Sequence, residues 1–187
     1  MKRIVIFASG SGTNAENIIK HFQNNTLATV VMVLSNKSQA KVLDKATALG
    51  VPNCSFDKVD LHETKVIYNL LLDLKPDIIV LAGFLLKFPE DIILEFPNII
   101  INVHPALLPK YGGKGMYGLN VHKAVVANKE NESGITIHYV NEHYDEGAII
   151  FQANTKVLDT DTFEDVAAKI QLLEQKHFPL VIEQLLN

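Results

Sequence analysis

An asparagine and a histidine stand two residues apart at the end of an apolar segment in the middle of the chain. The segment reads IIINVHPALLP, residues 99–109, and contains Asn102 and His104. Side chains at i and i+2 of a strand lie on one face, so both polar groups would point into one site. An amide donates hydrogen bonds to an oxyanion, and an imidazole transfers protons near neutral pH. The pair is typical of chemistry at a carbonyl carbon, although a strand end whose polar groups only bond to backbone would look the same.

The histidine needs a carboxylate partner, and a polar turn further along the chain offers several. The segment NEHYDEG contains Glu142, Asp145 and Glu146, and spacing alone does not choose between them. His138, in the strand before this turn, is a second imidazole expected in the same pocket. A metal site is an alternative, because ligand-type side chains occur at His104, His122, His138, His143 and Asp145. Their spacing matches no metal-binding motif, so we expect no metal.

A glycine-rich loop follows the first apolar segment. Residues 8–15, ASGSGTNA, satisfy the G-x-G-x-x-A spacing of dinucleotide-binding loops, so a nicotinamide-dependent oxidoreductase is one interpretation. Asn36 follows the second strand, however, at the position where such enzymes need an Asp or Glu for the ribose. Polar side chains at Thr13 and Asn14, beside Gly12, favour a terminal phosphate at a helix N-terminus. A tight turn with a capping side chain is the structural alternative.

Short apolar segments alternate with segments of helical periodicity. We predict strands at residues 2–8, 29–34, 52–56, 77–82 and 99–103, with helices at 14–23, 41–49, 60–74 and 89–96. Two further strands, 134–140 and 148–157, are expected to pair antiparallel before a last helix from residue 161. Capping boxes are predicted at Asp60 with Glu63 and at Asp161 with Glu164. The pattern indicates a Rossmann-like α/β fold: a mostly parallel sheet flanked by helices, with antiparallel strands in the C-terminal third, in one domain spanning 1–187.

Composition excludes several classes of partner. The chain has 187 residues and a net charge of −4, with no basic cluster for nucleic acid or an anionic membrane surface. No segment approaches the roughly 20 apolar residues of a spanning helix, and the first apolar segment is too short for a signal peptide. The single cysteine, Cys54, is consistent with a reducing compartment. We therefore expect a cytoplasmic protein that acts on small molecules, as a monomer or a homodimer.

Taken together, these residues resemble the phosphoribosylglycinamide formyltransferases, folate-dependent enzymes of purine biosynthesis. The resemblance covers essentially the whole chain and rests on SGSGTN, LAGFLLKF, INVHPALLPKYGGKG, GITIHYVNEHYDEGAII and LLEQKHFP. The motif Asn-x-His-Pro-x-Leu-Leu-Pro marks the wider superfamily, and the phosphate loop and chain length point to the glycinamide-specific members. The resemblance implies the formyltransferase fold and transfer of a formyl group from 10-formyltetrahydrofolate, the cosubstrate, to the amine of glycinamide ribonucleotide, without a metal.

The resemblance also implies a role for each matched residue. Asn102 and His104 would stabilise the oxyanion, and Asp145 would assist His104 and the proton transfer from the amine. Gly12, Thr13 and Asn14 would hold the phosphate, and Glu174 would contact the ribose. The pterin pocket would be lined by Phe84, Leu85, Leu86, Lys87, Phe88, Asn141, Glu142, His143 and Tyr144.

The chain departs from the family pattern in the loop that follows LLPKY. Family members often carry Pro-Gly there, whereas this chain has Gly112-Gly113, which leaves the loop conformation open. Lys87 stands where an arginine is common, and Met116 and Tyr117 have no predicted role beyond packing on the next helix.

Other activities use related chemistry. A 10-formyltetrahydrofolate hydrolase would share the Asn-His-Asp group with water as the acceptor, but we expect no room for its N-terminal domain. A formyltransferase for initiator tRNA normally adds a basic C-terminal domain, which is not expected here. A non-catalytic binding module would keep the phosphate loop but would not need the strand-end pair.

Overall fold

Seven strands and seven helices make up the fold. The computed structural model describes residues 1–187. The strands are β1 (Lys2–Phe7), β2 (Ala28–Ser35), β3 (Asn53–Ser55), β4 (Ile78–Leu81), β5 (Ile100–His104), β6 (Glu132–Tyr139) and β7 (Ile149–Lys156). The helices are α1 (Thr13–Gln23), α2 (Lys41–Ala48), α3 (Lys58–His62), α4 (Val66–Leu74), α5 (Glu90–Glu95), α6 (Leu119–Ala127) and α7 (Phe163–Leu186).

All seven strands form one sheet in the order β3-β2-β1-β4-β5-β6-β7. The pairs from β3 to β5 are parallel, and β6 and β7 continue the sheet antiparallel. The expected mostly parallel α/β sheet with antiparallel strands near the C-terminus is confirmed. The strand order reverses between β1 and β4, which places a crevice at their carboxyl ends, where ligands of open α/β sheets bind.

Helices cover both faces of the sheet because its central strands are apolar on both sides. Along β1, Ile4 and Ile6 belong to the larger core cluster, and Val5 and Phe7 belong to the smaller one. The larger cluster receives side chains from α1, α2, α6 and α7, and the smaller receives side chains from α3, α4 and α5. This two-sided burial explains the continuous apolar segments. No helix is long and apolar enough to cross a membrane.

The observed capping boxes begin three residues before the predicted position in α3 and one residue after it in α7. Asp57, not Asp60, caps α3: the Asp57 carboxylate accepts from the Asp60 amide, and Asp60 accepts in return. Thr162 caps α7 with Asp165 in the same reciprocal way. The prediction required Glu at the third helical position, but Asp also reaches the backbone from there.

The predicted helix over residues 60–74 is wrong in its extent, because two helices occupy this region. The first, α3, ends at His62, and Lys65 takes a left-handed conformation with φ 60° before α4 begins. Ile67 and Leu71 of α4 are buried as the periodicity predicts, whereas Val66 is exposed.

Candidate active site

Asn102 and His104 lie on the same face of β5, as the i, i+2 spacing predicts. Their neighbours Ile101 and Val103 point to the opposite face, into the larger core cluster. Pairing with β6 sets His138 directly across from Asn102. The two paired strands therefore bring an amide and two imidazoles to one end of the sheet.

Both nitrogens of the His104 ring have partners. Nε2 lies 2.7 Å from the backbone carbonyl oxygen of Tyr111, and Nδ1 lies 3.4 Å from Oδ1 of Asp145. A carbonyl oxygen only accepts hydrogen bonds, so Nε2 carries a proton whether the ring is neutral or charged. Nδ1 therefore faces Asp145, in a side chain that is only 4% exposed.

Asp145 is the acid that reaches the histidine, and the contact is direct. Its backbone is left-handed, with φ 58°, in the turn between β6 and β7, and its Oδ2 accepts a hydrogen bond of 2.9 Å from the Gly113 amide. Burial alone would raise the pKa of Asp145. The nearby His104 and the Gly113 amide outweigh burial and hold this pKa below its ordinary value of 3.8. The carboxylate is therefore ionised at neutral pH.

His138 fixes the orientation of the Asn102 amide. Nδ1 of His138 lies 2.9 Å from the backbone oxygen of Tyr139, so it donates, and Nε2 is then free to accept from Nδ2 of Asn102 at 3.1 Å. Burial lowers the pKa of His138, which keeps the ring neutral as this pattern requires. One N–H of Asn102 is used in this way, and the second remains available to a ligand.

The glycine-rich loop forms the opposite wall of the site. Gly12 precedes α1 with φ 71°, and no side chain caps the helix. A Cβ at Gly12 would lie 2.6 Å from Cβ of Val42, so the loop packs against α2 closely enough to require glycine. The amides of the first turn of α1, at Thr13 and Asn14, therefore stay open to an anion.

Asn14 and Glu174 bridge this loop to the last helix. Nδ2 of Asn14 donates to Oε2 of Glu174 at 2.8 Å, whereas Oδ1 of Asn14 is buried without a hydrogen-bond partner. Burial raises the pKa of Glu174, and the bond from Asn14 only partly opposes this shift. The unpaired Oδ1 of Asn14, next to Glu174, can therefore accept a hydrogen bond from a polar ligand.

The segment 84–88 and the turn 141–144 form the third side of the site. Phe84 and Phe88 stack edge-on against the ring of Phe7, with ring centroids 5.4 and 5.1 Å apart, so they anchor the segment in the smaller core cluster. The amide of Leu85 donates to Oγ of Ser9 at 3.0 Å. The segment is therefore tied to the end of β1, next to the glycine-rich loop.

All of the predicted site residues line a single cleft of about 460 Å³. The shared cleft comprises Gly12, Thr13, Asn14, Phe84, Leu85, Leu86, Lys87, Phe88, Asn102, His104, His138, Asn141, Glu142, His143, Tyr144, Asp145 and Glu174. It opens at the carboxyl ends of β1, β4 and β5, where the strand order reverses.

The cleft also has lining residues that lie outside the predicted site. They include Gly113, Gly115, Met116, Tyr117 and His122, from the Gly-rich loop and the start of α6. His122 is only 6% exposed, and its Nδ1 has no hydrogen-bond partner. Burial lowers the pKa of this imidazole, with His104 adding to the effect. In the sequence, the only indication that His122 belongs to the site is that a polar residue stands among the apolar residues of α6.

The loop that follows LLPKY packs closely at Gly112. A Cβ at Gly112 would lie 2.7 Å from Cδ2 of Leu108 and 3.3 Å from Cβ of Asp145, so glycine lets this loop pass directly behind the carboxylate. No group of three or more His, Cys, Asp or Glu side chains is arranged to hold a metal ion.

Known proteins share both the sequence pattern and the fold. Residues 2–182 match the formyl transferase family. A phosphoribosylglycinamide formyltransferase from Arabidopsis thaliana chloroplasts is 35% identical over 97% of this chain, which spans 64% of that relative's length. The Bacillus subtilis phosphoribosylglycinamide formyltransferase is 34% identical over 100% of this chain and 96% of its own. The crystal structure of glycinamide ribonucleotide transformylase 1 from Geobacillus kaustophilus superposes with a TM-score of 0.91 at 30% identity, covering both chains completely. The chain therefore belongs to the formyl transferase family.

Proposed function

We propose that the protein transfers the formyl group of 10-formyltetrahydrofolate to the amine of glycinamide ribonucleotide, a step of purine biosynthesis. One observation carries the proposal: the Asn102–His104–Asp145 group and the glycine-rich phosphate loop line the same cleft. Acyl transfer needs oxyanion donors and a proton acceptor, and a ribonucleotide acceptor needs an anion site within reach of them. The similarity to enzymes named for this reaction supports the same assignment.

Asn102 and His104 act on the formyl oxygen. As the amine forms its bond to the formyl carbon, the free N–H of Asn102 and the Nδ1–H of protonated His104 donate to the developing oxyanion. The 3.4 Å separation of Nδ1 from Asp145 is long for a hydrogen bond, so the proton is available to the substrate. Because His138 and Tyr111 hold both donors in place, they need no reorganisation at the moment of reaction.

Asp145 handles the proton that the amine must lose. Its Oδ1 atom, ionised and next to His104, accepts the proton after the new carbon–nitrogen bond has formed. The bond between the formyl carbon and N10 of the folate then breaks, and N10 takes up a proton supplied through the same two side chains. Atoms and charge balance, since one N–H proton is exchanged for another and no oxidant or metal enters the step.

The acceptor binds along the wall formed by α1 and α7. The amides of Thr13 and Asn14 at the N-terminus of α1 would hold the phosphate with Gly12. Glu174 would accept from a ribose hydroxyl, and the buried, unpaired Oδ1 of Asn14 would accept a further hydrogen bond. This wall thus offers donors to a phosphate and acceptors to ribose hydroxyls, which suits a ribonucleotide.

The folate would lie between the segment 84–88 and the turn 141–144. Phe84 and Phe88 give this region an apolar floor, while Asn141, Glu142 and His143 provide polar groups at its rim. A pterin ring presents apolar faces and a polar edge, so this lining fits it. When bound, the folate supplies the activated formyl group, and the chain supplies orientation and the electrostatic environment.

The chain is proposed to act as a single domain in the cytoplasm, as a monomer or a homodimer. Both core clusters share one continuous sheet, which supports the single-domain assignment.

Steady-state turnover of 10-formyltetrahydrofolate, measured with and without glycinamide ribonucleotide, tests the proposal. We expect tetrahydrofolate to appear only when the ribonucleotide is present. Equal turnover without the amine, with release of formate, would assign a hydrolase instead.

A further inference from the structure

Tyr111 lies outside the set of residues that touch the cleft, yet its backbone carbonyl holds the ring of His104. The oxygen accepts the Nε2–H of His104 at 2.7 Å, which is the shortest contact of that ring. If the carbonyl turned away, a neutral His104 could place its proton on Nδ1 instead. The nitrogen that faces Asp145 would then change from acceptor to donor. The position of this single carbonyl therefore determines which nitrogen exchanges protons in the cleft.

The Tyr111 side chain is held by hydrogen bonds to residues that follow α6. Its hydroxyl donates to Oε1 of Glu130 at 2.9 Å and accepts from Nδ2 of Asn128 at 3.1 Å. Lys110 contacts both carboxylate oxygens of Glu130, at 3.1 and 3.2 Å. The ring also packs against the larger core cluster. Two hydrogen bonds and the apolar packing thus hold the Tyr111 side chain, and Lys110 holds the Glu130 carboxylate that accepts one of these bonds.

The backbone conformation of Tyr111 is one that its surroundings must stabilise. Its φ is 57°, in the left-handed region that is unfavourable for a residue with a Cβ. Such a conformation persists only where the surroundings hold it. Without the hydrogen bond to Glu130, relaxation of φ would rotate the carbonyl away from Nε2 of His104.

We propose that the Tyr111–Glu130 pair is a positioning device that fixes the proton-bearing nitrogen of His104, so that Nδ1 faces the reacting groups. The proposal deepens the function proposed above and rests on it for its kinetic consequences. Tyr111 and Glu130 are positioning residues, since they act on the substrate only through His104.

Kinetics provide the first test. In Tyr111→Phe and Glu130→Ala we expect kcat to fall about tenfold, with KM for both substrates nearly unchanged, because binding groups stay in place while the donor is misoriented. Glu130→Gln keeps an oxygen that accepts from the tyrosine hydroxyl and should restore most of kcat. Tyr68→Phe is the matched control, because Tyr68 donates to Glu95 at 2.8 Å in a similar pair, and neither residue lines the cleft. It should leave kcat unchanged.

Histidine side-chain ¹⁵N spectra provide a second, activity-independent readout. At a pH where His104 is neutral, the wild type should show the Nε2–H tautomer alone, whereas Tyr111→Phe and Glu130→Ala should show a mixture. The His104→Ala variant identifies the His104 signals. Loss of kcat with the Nε2–H tautomer intact, or unchanged kcat and tautomer in both variants, would overturn the positioning role. A wild type that shows the Nε2–H tautomer but no ribonucleotide-dependent turnover would overturn the proposed function and leave the positioning role standing.

Discussion

Nδ1 of His104 lies 3.4 Å from Oδ1 of Asp145, although one residue ends a buried strand and the other sits in a left-handed turn between two antiparallel strands. The two side chains are 4% and 12% exposed, so their charges act on each other through little water. The contact joins an imidazole with one fixed proton to a carboxylate that stays ionised. This pair can hold positive charge beside an oxyanion and also accept a proton from an amine.

Removing the imidazole should abolish most of the chemistry. His104→Ala is expected to lower kcat by about 10²–10⁴-fold, which is the usual rate contribution of a general acid or base. KM for the ribonucleotide should change little, because the phosphate loop is separate from β5. Steady-state kinetics and circular dichroism measure both effects. A well-folded variant with near-normal kcat would remove His104 from the mechanism.

The wall that would bind the ribonucleotide can be tested independently of the chemistry. Asn14→Ala keeps the backbone amide but removes the side chain that orients Glu174 and the unpaired Oδ1 acceptor, so it should raise KM for glycinamide ribonucleotide by about 10- to 100-fold, the effect of one hydrogen bond to a charged group, and leave KM for the folate nearly unchanged. Asn17→Ala is the matched control, since Asn17 on the same helix bonds to the Gln175 carbonyl at 2.7 Å outside the cleft. If both variants behave alike, the assignment of the Asn14 and Glu174 side chains to ribonucleotide binding fails.

Glu174 should make the fold less stable as pH rises. Burial raises its pKa above the ordinary value of 4.5, so the folded state holds its proton more tightly than the unfolded state. The free energy of unfolding therefore falls as pH rises through 4.5 to the folded pKa, and this loss persists at neutral pH. Glu174→Gln should accordingly raise the melting temperature at pH 7, with little gain below pH 4, and should also raise KM for the ribonucleotide. A melting-temperature gain that does not depend on pH would show that charge burial is not its cause.

The close packing of the glycine-rich loop predicts that alanine substitution destabilises the fold at Gly12 but not at Gly10. Gly12→Ala would bring a Cβ within 2.6 Å of Val42 at φ 71° and should destabilise the fold by at least about 1 kcal/mol. Gly10→Ala has no atom within 4 Å of the new Cβ and should be tolerated. Chemical denaturation compares the two. Equal loss of stability in both would mean that contact with α2 does not hold the loop.

The sequence predicts the parts of the site that follow local periodicity. The period of two along β5 places Asn102 and His104 on one face, and the turn after β1 opens α1 as the glycine spacing indicates. Asp145 could not be chosen over Glu142 and Glu146 from spacing, because the choice depends on a left-handed backbone and on the Gly113 amide.

Two other features depend on tertiary contacts between residues that are far apart in the sequence, so local sequence patterns do not predict them. The Tyr111 carbonyl reaches His104 only because its side chain is fastened to Glu130, which lies beyond α6. His122 reaches the cleft because α6 packs against α7. A single histidine in an apolar helix does not indicate which helix it packs against. The shifted capping boxes have a local cause, since Asp as well as Glu can complete them.

The central claim is that the amine of the ribonucleotide attacks the formyl carbon in this cleft. The direct measurement uses 10-formyltetrahydrofolate with ¹³C in the formyl group and glycinamide ribonucleotide with ¹⁵N in its amine. We predict a product whose formyl ¹³C signal is split by one-bond coupling to ¹⁵N, and no such product with His104→Ala. Appearance of the label in formate, with no ¹³C–¹⁵N coupling in any product, would contradict the account.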